Sequence, residues 1–528
     1  MDFTTKMHSE TTIESKIPRS ATTMPRWLII VTALFGANVA RAGTGSLGIF
    51  SDQADIGDCA KAGSANFDPA TGEYRITGGG ANMWANLDVF HFLWKQLSGD
   101  FMLTADVRIL GTNGNAHRKA CLLVRQSLAP DSAYADVALH GDGMAALQWR
   151  DAAGERTYTL HSDIFSSQRL RLERRGKYLS MWLAGKDDVF KPAGGYLPVS
   201  LTGPCYIGLG VCAHDNTTTE TAIFSNVTLE PLATPAKAPT TLECSLEVVA
   251  VASADRDIVY RTRELIEAPN WSPDGKYLLF NSKGRIFKLP IIDAKQVKSV
   301  PGSTPQLLDT GIAVKCNNDH GISPDGTMLA ISDRTEGNKS RVYVVPIGGG
   351  APRLVTPLAP SYWHGWSPEG RTLVYCAERN GNFDVYSIPS AGGAETRLTT
   401  TPGLDDGPEY SPDGRYIYFN SERDGMMQIW RMQPDGSGQE PVVADGYHNW
   451  FPHPSPDGKW LVFISFNQDV KANQHPANKD VLLRLKPVAG GGTKVLAKLF
   501  GGQGTINVPS WSPDSKKLAF VSYQRVYP

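Results

Sequence analysis

Beyond residue 42 the chain has no apolar run of the roughly 18–20 residues that a membrane-crossing helix needs, so no transmembrane span is predicted there. It lacks an excess of charge of either sign. Lys and Arg number 52 against 53 Asp and Glu, and a formal net charge of -1 supplies no long-range field to draw in nucleic acid. Nucleic acid is therefore excluded as a partner. Cysteine is scarce: Cys59, Cys121, Cys205, Cys212, Cys244, Cys316 and Cys376 form no CxxC pair to grip zinc, and buried thiols are expected, with room for one disulfide. Gly-x-Ser-x-Gly is missing, and Gly78–Gly80 and Gly348–Gly350 lack the strand–helix setting of a phosphate loop.

What is present begins with a leader. Lys16, Arg19 and Arg26 precede the apolar run Trp27 to Ala40, and Ala40-Arg41-Ala42 offers a small-x-small cleavage site. Residues 1–42 therefore read as a signal peptide with an extended basic region, and its length is accounted for by Met24 as the true start or by an extension ahead of it. The mature protein is expected in the periplasm or outside the cell, with no transmembrane span after cleavage.

Internal repetition fixes the second half. Ser272-Pro-Asp-Gly275, Ser323-Pro-Asp-Gly326, Ser367-Pro-Glu-Gly370, Ser411-Pro-Asp-Gly414, Ser455-Pro-Asp-Gly458 and Ser512-Pro-Asp-Ser515 recur, the middle four serines 44 residues apart. That is the period of a four-stranded propeller blade. Proline presets φ, aspartate bonds its own backbone and glycine accepts a positive φ, so each copy is a tight turn between strands. An aromatic or aliphatic residue (Trp271, Ile322, Trp366, Tyr410, Trp511) precedes it. The sixth copy has room for only two strands, so Leu246–Ala252 and Asp257–Thr262 are expected to complete it and close the ring. These copies resemble the repeats of TolB and its relatives, which implies a six-bladed β-propeller over residues 243–528.

Residues 46–232 change to longer alternating strands, with hairpin turns at Gly141-Asp142-Gly143 and Arg175-Gly176-Lys177. An all-β chain is predicted: an N-terminal β-sandwich, a proline-rich spacer at 233–242, then the propeller. Ser98-Gly-Asp-Phe101 to Val107 and Tyr206-Ile-Gly-Leu-Gly210 resemble concanavalin-like or laminin-G-like jelly rolls, which implies binding of a carbohydrate or envelope component. Trp84, Trp94, Arg125, His140 and His214 are the candidates for its sugar face, since aromatic faces stack on sugars and polar tips bond hydroxyls.

In a propeller the strand before each repeated turn lines the channel. Three residues before the serine, Pro269, Pro408, Pro452 and Pro509 are replaced in blades two and three by His320 and His364. His448 and His453 join them as candidate metal ligands for a divalent manganese, zinc or iron ion. Asn318, Asp405, Asp406, Glu409, Asn449, Asn507 and Trp363 are the candidate ligand-binding residues, because polar groups around one axis are costly to desolvate unless something meets them. The insertion Asn467 to Asp480 is expected to narrow the mouth. Oligogalacturonate lyases are also propellers, and His364, His448 and His453 resemble their metal-binding cluster, although the family's Gln-and-paired-His spacing is not matched. The leading expectation is an extracytoplasmic binding protein that meets a ligand or protein partner at the propeller face. The alternative is a metal-dependent lyase or hydrolase acting on acidic oligosaccharides.

Overall fold

The repeated turn is built the same way six times. The fourth residue donates its backbone N–H to the serine carbonyl at 2.8–2.9 Å and sits at φ between 62° and 73°, a left-handed conformation that glycine adopts without a steric penalty. In the five copies with aspartate, the serine hydroxyl donates to the carboxylate at 2.5–2.8 Å; the third copy carries Glu369 there. Ser515, the one non-glycine at the fourth position, accepts a hydrogen bond from Asp457 N at 2.9 Å and so ties the fifth turn to the sixth.

The computed structural model describes residues 46–185, 187–233, 241–293 and 296–527. The leader, and Pro235 and Pro239 of the spacer, lie outside the described residues. Every element is a strand, and among the described residues no helix is long and apolar enough to cross a membrane.

Five repeats form separate antiparallel sheets whose inner strands are Glu267–Trp271, Cys316–Ile322, Ser361–Trp366, Asp405–Tyr410 and His448–Pro454. The expectation of six blades is corrected to five separate ones. The sixth repeat contributes only a bridge from Trp511 to Leu518 and the strand Lys517–Val526, which pairs with Thr241–Ala250, itself paired with Arg256–Thr262. These three strands do not stand alone, because they continue into a ten-stranded sheet of the N-terminal part.

That part contains a seven-stranded sheet facing the larger one. Leu103, Val107 and Leu170 of the first share a buried core with Leu122, Val124 and Leu147 of the second. The join to the propeller strands is a parallel pairing of Tyr158–His161 with Arg256–Thr262, flanked by His161–Asp257 and Arg261–Asp163 ion pairs at 2.8 and 2.9 Å. An edge that would otherwise be open is thereby covered.

Within the N-terminal part, Arg125 and Arg150 both clamp Asp88 at 2.6 and 2.8 Å, and all three side chains are fully buried. Arg125 is thus a structural residue and not part of a sugar face. Trp94 and His140 are buried too, which leaves Trp84 and His214 half-buried and the expected five-residue sugar face undone. All seven cysteines are unpaired.

Removing one partner of a buried ion network strands the others. Asp88→Ala is expected to destabilise the protein by about 3–5 kcal/mol, read from the urea midpoint; a loss under about 1 kcal/mol contradicts the network's role.

Candidate functional site

The inner strands are irregular at one shared place. Register shifts fall between Glu267 and Asn270, Cys316 and His320, Trp363 and Gly365, Asp406 and Glu409, and Trp450 and His453. Pro269, Pro408 and Pro452 have no N–H to offer a ladder, and a bulge is where a strand tolerates that. Ala268, Gly407 and Phe451 beside them take φ of 55°, 61° and 52°. The bulge divides each strand into two tasks.

Below it, the residue two before the serine holds blades together. Asn270 donates to Pro509 O at 2.5 Å and accepts from Ile322 N at 3.1 Å, linking the first blade to the sixth repeat and to the second blade. His453 meets Glu409 through Nδ1 at 2.5 Å and Ile506 O through Nε2 at 2.9 Å. Trp366 and Trp511 donate their indole N–H to Gly321 O and His453 O, each at 2.9 Å. Gly321 is bare because a Cβ there would stand 2.0 Å from the Trp363 ring.

Above it, side chains of several repeats open into one cavity of about 650 Å³. Asn317, Asn318 and Asp319 come from the second blade, Tyr362 and His364 from the third, Asp406 from the fourth and Phe451 from the fifth. Asn473 and His475 of the inserted loop, with Gln503 and Asn507 ahead of the sixth repeat, complete much of the wall. The loop is fixed there by His475, whose ring lies 4.4 Å from Trp450 and 5.0 Å from Phe451. At the centre, His364 Nε2 stands 3.0 Å from Asp406 Oδ1, and Asp319 Oδ2 accepts from the Asn317 amide at 2.7 Å.

Of the residues chosen from sequence, Asn318, Asp406, Asn507 and His364 line this cavity. Asp405 is turned to Arg423 at 3.3 Å, and Glu409 to His453. Asn449 is bonded to Gln428 and Asp445. Trp363 packs between blades. These four are corrected to structural residues.

The metal expectation is also corrected. His453 has both ring nitrogens committed, His448 Nδ1 faces the Met427 N–H at 3.4 Å, and His320 is fully buried with no protein partner on either nitrogen. Among the described residues no three His, Cys, Asp or Glu side chains converge to hold a metal ion. His320 and His364 share one position of the repeat, three residues before the serine, while His453 stands two before it and His448 seven before it, and the four side chains do not meet. Asp319 belongs with Asn318 to the polar residues expected on the second inner strand, and His475 to the insertion expected to narrow the mouth; Tyr362, Phe451 and Gln503 are additions, and Tyr362, five residues before its serine like Asn318, Asp406 and Asn507, carried a readable signal.

The electrostatics separate two carboxyls within one cavity. Burial pushes Asp319 up to about 7. Burial would raise Asp406 too, but the His364 charge beside it outweighs that and holds it at about 2. Burial opposes protonation of His364, yet Asp406 keeps its imidazolium favoured above the ordinary value. Burial lowers His475 and draws His320 down to about 4. The Cys376 thiol, also on the wall, is raised far above its ordinary value by burial and is no nucleophile.

Because His364 is raised on folding, the stability it contributes is present below the unfolded imidazole value and is lost as pH rises through the folded one. Its NMR titration midpoint is expected above the ordinary value of 6.5 and to fall in Asp406→Asn, where only the charges of Asp319 and Glu409 remain to offset burial. An unmoved midpoint contradicts the pairing.

Comparison with known proteins agrees with this architecture. Residues 321–485 match the TolB beta propeller domain. An uncharacterized protein of Agrobacterium fabrum is 50% identical over 283 residues, 53% of this chain and 93% of the relative. A solved Agrobacterium tumefaciens structure, provisionally described as TolB, is 50% identical with a TM-score of 0.51 over 54% of this chain and 100% of its own. An oligogalacturonate lyase in complex with manganese reaches 14% identity and a TM-score of 0.32 over 50% of this chain and 71% of its own, too slight a likeness to assign any residue here. With half of the 283 aligned residues identical to those of a relative that it spans almost end to end, the chain belongs to the TolB-like β-propeller family.

Proposed function

We propose that the protein is an exported binding protein whose propeller mouth holds a small, hydroxyl-rich ligand. The observation that carries this reading is the single cavity in which Asn318, Asn507, Gln503 and Asn473 present amides beside Tyr362, Phe383 and Phe451. Amides bond hydroxyls and aromatic faces stack on sugar rings, and a cavity of about 650 Å³ suits a ligand of drug or disaccharide size. In the same reading the N-terminal sheets form a lectin-like sandwich for a carbohydrate or envelope component. The propeller face meets a protein partner, as membership of the TolB-like family suggests. The basic and apolar leader with Ala40-Arg41-Ala42 supports export to the periplasm or beyond.

A second reading is favoured by Asp319 at about 7 facing a cavity that also holds Asp406 at about 2. Two carboxyls whose environments push them apart are what general acid–base cleavage of a bound oligosaccharide uses.

Native mass spectrometry of the wild type, after dialysis against a small-molecule extract of bacterial envelopes, is expected to show a bound compound. Phe451→Ala and Asp406→Asn should each weaken that binding by about 10–100-fold, the cost of losing a stacking face or a charged hydrogen-bond partner. Equal retention by both variants places the ligand elsewhere and contradicts the proposal. Turnover of the compound, lost in Asp319→Asn, selects the enzyme reading.

A further inference from the structure

The mouth contains no basic side chain of the strong kind. Asp319, Asp406 and Glu422 stand in its wall, and among the described residues no lysine or arginine does. Two of the three carboxylates already have partners within the protein. Asp406 is paired with His364, and Glu422 Oε1 accepts the Leu404 N–H at 2.9 Å. Asp319 Oδ2 has only the neutral Asn317 amide.

One imidazolium against Asp406, Glu422 and an Asp319 that ionises only near 7 leaves the cavity negative at neutral pH. Its apolar walls strengthen that field, because charges act more strongly where water is thin. Tyr362, Phe383 and Phe451 add ring faces, which carry partial negative charge and attract cations as well as stacking on sugars. An acidic sugar entering here would meet like charge, the one imidazolium, His364, being already paired with Asp406. The burial that makes an ionised Asp319 unfavourable is relieved when a cation stands beside it.

We infer that the ligand of the mouth carries a protonated amine among its hydroxyls, as an amino sugar with a free amine does, the amine facing Asp319 and Glu422 and the hydroxyls facing Asn318 and Asn507. This assignment rests on the reading of the mouth as a ligand site. It replaces acidic oligosaccharides with a basic one as the substrate class.

The test compares three disaccharides of similar size and different charge by isothermal titration with the mature protein: β-1,4-linked glucosamine disaccharide, its hydroxyl counterpart cellobiose, and digalacturonate. The glucosamine disaccharide is expected to bind at least about tenfold more tightly than cellobiose, the worth of one charge-assisted hydrogen bond. Digalacturonate is expected to bind most weakly. Asp319→Asn keeps the shape and the Asn317 contact partner, and Glu422→Gln is a second, independent variant; each should shrink the preference for the amine, read as the ratio of glucosamine-disaccharide to cellobiose affinity within the same variant. Cellobiose or digalacturonate binding as tightly as the amine, in the wild type, overturns the amine assignment and leaves the mouth a ligand site. No heat from any of the three overturns both.

Discussion

Hydrogen bonds that pass from one inner strand to the next, just below the bulge, hold the axis on which the mouth stands. Asn270 reaches both neighbours, Ser510 donates to Pro269 O at 2.7 Å, and His453 joins Glu409 to Ile506. A buried polar group without a partner costs about 1–3 kcal/mol, so these groups stabilise the closed ring only while the blades keep their spacing. The same bonds join the sixth repeat to the first blade, where no separate sheet exists to do so.

The bulge converts this closed ring into a site. Along a regular strand successive side chains alternate between faces, and a residue such as Asp406 would be locked into the blade interface or exposed by simple parity. With the register shifted between Asp406 and Glu409, one carboxylate opens into the cavity and the other is spent on His453. The third blade does the same with His364, which faces Asp406 across the mouth, and Trp363, which fills the space that Gly321 leaves. A negative cavity at the end of a rigid ring follows from these choices, with the inserted loop laid over its rim through His475.

Much of this was legible before any coordinates. The repeated turn is local chemistry, so its six copies and the strands flanking them read directly from Ser, Pro, Asp and Gly. Asn318, Asp406, Asn507 and His364 stood out because they break the pattern at channel positions. The bulge itself was not legible, since Pro269, Pro408 and Pro452 signal an irregularity without saying which neighbours it turns inward. Glu409 lies beyond the shift and for that reason misses the mouth, whereas Trp363, Asp405 and Asn449 stand before it and turn into the blades. His320 and His364 at one offset, with His448 and His453 added from the fifth inner strand, suggested a metal because sequence offset carries no information about side-chain direction. Fusion of the last strands with the N-terminal sheet was hidden as well: it depends on an edge pairing between Leu160 and Arg256, 96 positions apart.

The most direct test of the central claim, that the bulged inner strands present one ligand-binding mouth, is a crystallographic soak with a library of small hydroxyl- and amine-bearing fragments. Density recurring between Asp319, Asp406 and Phe451 is the predicted result. Fragments bound repeatedly at other surfaces, with the mouth holding none of them, would contradict it.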